Sequence, residues 1–189
     1  MKNLIRLSAC VMLAIVTLSA CKTKKVAVAP IQKTDSLNVN FSSTKNFAFF
    51  SLRDGAMVAT SDSASAKWDF ALRLTTFLVN SYASGPGNAG VILVNTPYAS
   101  VTTAPETGYA YDTTSAKLAI KDGSWYNYNP ATRSFAPKAG QTFVFRTADN
   151  RYAKMELLAV DYAPFVGPAP TTVIYRFRFT FAAAGDRNF

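Results

Sequence analysis

The sequence contains no histidine. Mechanisms that need an imidazole as base, proton shuttle or metal ligand are therefore excluded, among them Ser-His-Asp and Cys-His hydrolases, HExxH zinc proteases and two-histidine haem sites. Cysteine is almost as scarce: two in 189 residues, Cys10 and Cys21. Beyond Cys21 there is no thiol, hence no disulfide, no thiolate nucleophile and no cysteine metal site. The eleven carboxylates stand singly along the chain. Nothing in their spacing marks a glycosidase pair, and no Asp-x-Asp-x-Asp-Gly loop marks a calcium site. Nine glycines and nine prolines are too few for a collagenous or proline-rich protein, and no internal repeat is visible. With 49% hydrophobic and 16% charged residues, the chain has the material for one well-buried core.

The first twenty residues have the layout of an address. Lys2 and Arg6 precede a mostly apolar run from Leu7 to Thr17, and Leu18-Ser19-Ala20 closes it ahead of Cys21. The run is too short for a membrane span and fits a secretory signal. Leu-Ser-Ala-Cys reads as a bacterial lipobox, which predicts that residues 1–20 are removed and that Cys21 is acylated. Several acyl chains on one cysteine give stable anchoring where a single chain does not. Residues 21–40, with Lys22-Thr23-Lys24-Lys25 and Pro30, show no amphipathic period and are expected to form a flexible tether, roughly 25 Å in reach. Its lysines can rest against anionic head groups.

Without Lys2 and Arg6 the excess of basic over acidic side chains falls from nine to seven. That bias favours an anionic ligand or an acidic partner surface. The basic residues are scattered, so no nucleic-acid partner is expected.

From residue 41 to 189 we expect one all-β domain with little helix. Phe47 to Leu52 and Ala56 to Val58 flank Arg53-Asp54-Gly55, a hairpin signal. Trp68 to Leu74 alternates and continues toward Val79 as one run, and Gly90 to Val94 follows the loop Ser84-Gly85-Pro86-Gly87-Asn88. Phe143 to Arg146 and Tyr152 to Val160 flank Thr147-Ala148-Asp149-Asn150, a second hairpin. Thr172 to Phe181 alternates, with Arg176 and Arg178 on one parity. A weak helical signal lies at Thr114 to Ile120. The stretch Asn95 to Thr114 is long enough to form a functional lip.

Four of these stretches resemble the HmuY family, exported haem-binding lipoproteins of Bacteroidetes. They are the Phe47–Val58 hairpin, Trp68-Asp69-Phe70-Ala71-Leu72 with the Ser84–Gly90 loop, Arg146 to Met155, and Tyr175-Arg176-Phe177-Arg178-Phe179. The resemblance implies irregular antiparallel sheets with long loop tips that close on a planar haem. It also implies an outer-membrane lipoprotein, on the surface or periplasmic face, that passes haem to a TonB-dependent receptor. One departure is plain. The family's axial ligands are histidines or methionines, and where the first would fall this chain has Arg73, which cannot ligate iron but can pair with a propionate.

The ligand-binding candidates follow from that gap. Tyr98, Tyr109 and Tyr111 in the long loop offer phenolates, which are known haem-iron ligands, or serve as lip aromatics packed on the sheet. Met57 offers a soft ligand or fills a gap in the core, and Met155 is expected in the core. Trp125 and Tyr126, near Asp122, suggest either a sugar-stacking platform or a core anchor with an edge cover. The Gly-rich loop lacks a P-loop lysine and a following helix, so phosphate binding is not supported. The reading is a binding protein without catalytic residues. Its ligand is expected to be haem or a related planar anionic tetrapyrrole, held without paired histidines. The alternative is a relative that has lost haem and binds a glycan or a protein partner.

Overall fold

The computed structural model describes residues 29–40, 47–163, 165–166 and 169–189. The signal segment and Cys21 lie outside the described residues. Along the chain the strands are β1 (Ile31–Asn40), β2 (Ala48–Ser51), β3 (Ala56–Val58), β4 (Phe70–Arg73), β5 (Thr76–Val79) and β6 (Gly90–Val94). They continue as β7 (Tyr126–Asn129), β8 (Ser134–Pro137), β9 (Thr142–Arg146), β10 (Tyr152–Tyr162), β11 (Phe165–Val166), β12 (Ala169–Pro170) and β13 (Thr172–Phe181). Single 3-10 turns at Thr60–Asp62 and Tyr98–Ser100 supply the helix. The chain is all-β, as the patterning predicts. Among the described residues no helix is long and apolar enough to cross a membrane.

A large sheet has the order β1-β13-β10-β9-β6, and a small one β3-β2-β4-β5. All their pairings are antiparallel. Alternation decides what each face carries. On β13, Val173, Tyr175, Phe177, Phe179 and Phe181 are buried, while Arg176 and Arg178 take the opposite face. On the small sheet Phe50, Phe70, Leu72, Phe77 and Val79 turn the same way and are buried. The two sets meet ring to ring: Phe50 lies 5.0 Å from Phe177, and Phe77 stacks on Phe143 at 5.0 Å. The result is a two-sheet sandwich with an aromatic core, in which Met155 also lies, fully buried.

Three local expectations need correction. The stretch 31–40, read as tether, is β1, paired with β13 from Ile31↔Phe181 to Asn40↔Thr172, and its Leu37 and Val39 are buried. Only two of its apolar side chains reach the core, which is too few for a period to be visible in sequence. The run from Trp68 to Val79 is a tight hairpin, not one strand. Leu74, at φ 50°, makes the turn with Thr75, and neither residue is a usual turn former. The weak helical signal near Thr114 is an isolated Thr114↔Lys117 bridge.

Candidate functional site

The small sheet's second face looks away from the core. Register puts Phe49, Val58, Ala71 and Leu78 in one row on it, with Arg73 two residues beyond Ala71 on the same face. Trp68 is sunk beside Phe49, rings edge-on at 4.9 Å, and its Nε1 donates to the Ser63 carbonyl at 2.9 Å. The loop after β5 folds back over this row. Asn80 holds it, donating to the Ser65 and Trp68 carbonyls and accepting from the Gly87 N–H at 2.8 Å. A Cβ at Gly87 would lie 2.8 Å from the Asn80 carbonyl, so only glycine permits this approach.

Between the row and the loop lies a concavity of about 450 Å³, bounded by Phe49, Leu78, Tyr82, Gly85 and Pro86. Tyr82 stands at its rim, 72% exposed, at φ 43°. Its ring meets Tyr111 edge-on at 5.8 Å, and the Arg146 guanidinium covers Tyr111 at 5.5 Å. Arg146 is itself held by Asn88 Oδ1 at 3.0 Å. Two buried carboxylates fix the frame. Asp112 accepts from Val79 N, Ala119 N and Ser84 Oγ, and burial raises its carboxyl above the ordinary range. Asp69 accepts from Leu52 N and Ala148 N, both at 2.7 Å. The concavity thus offers apolar and aromatic walls on a rigid base, with a cation on the same sheet face. It suits a flat apolar ligand with an anionic edge.

The expected ligand residues do not converge here. Arg73 lies on the right face, its guanidinium 5.2 Å over the Phe47 ring. Tyr111 joins the rim through Tyr82. Tyr98 is buried elsewhere, its hydroxyl 2.5 Å from Thr180 Oγ1, and burial pushes its phenol up. Tyr109 gives its proton to the Pro105 carbonyl at 2.9 Å, and burial pushes its pKa well above the usual phenol range. Both phenols are thus biased against the phenolate that would bind iron. Met57 is neither core nor aimed into the concavity. It pairs with Phe50 on an edge strand, so it takes the other face and is 49% exposed.

The sugar platform does not form. Trp125 is buried, with Nε1 donating to the Thr75 carbonyl at 3.1 Å, and Tyr126 meets it at 68° rather than in plane. The core-anchor alternative describes this tryptophan. Tyr82 was missed in the sequence. Its signal is an aromatic placed between the end of an apolar run and a Gly-Pro-Gly loop, where no core neighbour awaits it. Among the described residues no group of three potential ligands could hold a metal ion.

The architecture is that of a small antiparallel protein with two main sheets and two two-stranded ones, whose loops frame a ligand-sized hollow. No family model and no curated protein matches the chain. Solved structures do. The apo HmuY analog of Tannerella forsythia superposes with a TM-score of 0.51 at 14% identity, covering 82% of this chain and 98% of that one. Apo PinO of Porphyromonas gingivitis gives 0.51 at 12%, covering 80% and 98%. The chain therefore has an HmuY-like fold.

Proposed function

We propose that the protein is an exported, lipid-anchored binding protein of the outer membrane, without catalytic activity. It takes haem or a related planar anionic tetrapyrrole and hands it to a TonB-dependent receptor. The observation that carries this reading is the concavity between Phe49, Leu78 and Tyr82, with Arg73 on the same sheet face. The tetrapyrrole is held by its ring faces, and its propionates are met by arginine. Iron ligation contributes little, because the phenols of Tyr98 and Tyr109 are committed to other partners, the Tyr111 ring is packed between Tyr82 and Arg146, and Met57 faces away. The lipobox at Cys21 and the HmuY-like fold support export and the haem-type ligand. The engagement of Tyr98 and Tyr109 with other groups favours the second reading, a relative that has given up haem for a protein partner.

The test is a titration of the purified protein with ferric haem, ferrous haem and iron-free protoporphyrin IX, followed at the Soret band. We expect saturation at one equivalent for all three, with affinities within about threefold, since iron adds little. Tyr82→Ala and Arg73→Ala should each weaken binding by about tenfold, the size of one lost stacking or charge-assisted contact. A response that never saturates would sink the tetrapyrrole reading and leave the protein-partner reading. Tight haem binding with no protoporphyrin binding would show that an iron ligand exists after all.

A further inference from the structure

The opposite face of the sandwich holds a buried lysine that, among the described residues, forms no ion pair. Lys154 sits mid-sheet on β10, paired with Thr180 of β13 and Val144 of β9, on the face away from the core. A lysine there would ordinarily reach water. This one is 6% exposed, because the turn at Tyr98–Ser100 and the Phe189 ring lie over it. Its Nζ donates to the carbonyls of Tyr98 at 3.0 Å and Val101 at 2.7 Å, and stands 4.4 Å from the Tyr98 ring centre.

Those partners are all formally neutral. Among the described residues Lys154 forms no ion pair. The carboxylate on the neighbouring row, Glu156, is taken by Arg178, Nε at 2.7 Å and Nη2 at 2.6 Å. The side chains of Lys154, Arg178 and Glu156 together therefore carry one net positive charge, on the buried lysine. Burial and the nearby Arg178 both press the ammonium toward neutrality, and an arriving anion would reverse that pressure.

Beside the ammonium is a cavity of about 360 Å³, lined by Lys154, Arg178, Tyr98, Thr180, Gln32 and Phe189. We propose that it binds a small organic monocarboxylate, the carboxylate paired with Lys154 and the apolar body lying against Phe189. The single ammonium, with no side-chain carboxylate paired to it, favours a monoanion over a phosphate dianion. The hydroxyl pair of Tyr98 and Thr180 on the same wall offers a donor to the second oxygen. The aromatic wall favours an organic body over a bare inorganic ion. The site is distinct from the concavity at Tyr82, which lies on the outer face of the other sheet.

The test is calorimetric titration of the purified full chain with benzoate, hexanoate, the neutral benzamide and inorganic phosphate. Benzoate or hexanoate should bind one per chain, at least tenfold tighter than benzamide or phosphate. Lys154→Gln should cut that affinity at least tenfold. Because loss of Lys154 also strands two carbonyls, a second variant is needed that leaves the lysine alone. Gln32→Glu, on the exposed edge strand β1, places an internal carboxylate at the cavity wall and should displace the ligand with the fold unchanged. Tyr128→Ala, an exposed aromatic of β7 outside both sites, should leave carboxylate binding unchanged. Carboxylates no tighter than benzamide, phosphate tighter than both, or binding unmoved by Gln32→Glu would each overturn the proposal. In that case Lys154 only caps the carbonyls of the turn.

Discussion

Asp69 shows how one side chain can hold the site's frame together. Its two oxygens take the N–H groups of Leu52 and Ala148, so it ties the turn after β2 and the turn after β9 to the start of β4. Asp69→Ala would leave two backbone donors without these acceptors, and we expect a loss of about 3 kcal/mol in urea unfolding. The pH dependence has a definite sign. Burial lifts this carboxyl to about 6, against the two backbone hydrogen bonds that pull it down. The native state thus binds the proton more tightly than the unfolded chain, whose aspartates titrate near 4 (about 3.9). Stability contributed by Asp69 therefore falls as pH rises from about 4 to about 6 and is level above. Asp54 runs the opposite way, since Arg53 holds its carboxyl low, but it does so in both proteins. The difference between wild type and Asp69→Ala should therefore shrink from pH 4 to pH 6.5. A difference that grows would contradict the assignment. None of this was legible beforehand, because the donors lie 17 and 79 residues away in sequence.

At the scale of elements, β1 belongs to the domain rather than to the tether. It is the outer strand against β13, and its Leu37 is fully buried. A chain beginning at residue 41 would leave one side of the phenylalanine-rich β13 unpaired, an edge prone to pairing with other copies. We expect that chain to aggregate or to melt well below one beginning at residue 29, as read by scanning calorimetry and size exclusion. Leu37→Ala in the full chain should cost about 2–4 kcal/mol through the cavity it leaves. If both changes were silent, β1 would be dispensable and the tether reading would return. The sequence concealed this strand because its other inward-parity positions include Lys33 and Asp35. The β4–β5 hairpin was hidden for a different reason. Its turn residue Leu74 adopts φ 50° without glycine or asparagine, and distant groups hold the tip: Tyr175 Oη donates to the Leu74 carbonyl at 2.7 Å, and Trp125 to that of Thr75. By contrast the Asp54-Gly55 hairpin, with Gly55 at φ 60°, was readable because its turn chemistry is local.

For the whole molecule, what the sequence could reveal was set by how far apart the cooperating residues are. Period-two runs of Phe, Val and Tyr announced an all-β chain, because each strand's alternation is written within ten residues. The concavity at Tyr82 and the charge at Lys154 arise only when segments far apart in the sequence meet, so neither could be found from spacing. The same long-range assembly makes the sandwich one cooperative unit. Phe50 of the small sheet touches Phe177 and Phe179 of the large one at 5.0 and 5.9 Å, and Phe70 touches Phe145 at 5.8 Å. Neither sheet can open without exposing the rings of the other. With no thiol after Cys21, no disulfide within the domain can take over when this core is weakened. Phe50→Ala should therefore cost about 3–5 kcal/mol. It should lower a single Tm seen alike by far-ultraviolet dichroism and by the fluorescence of Trp68, beside Phe49 of the small sheet, and of Trp125, which packs on Phe135 and bonds the Thr75 carbonyl. Two separated transitions, the Trp68 fluorescence melting before the far-ultraviolet dichroism, would mean that the sheets are independent and that the shared aromatic core is not what binds them.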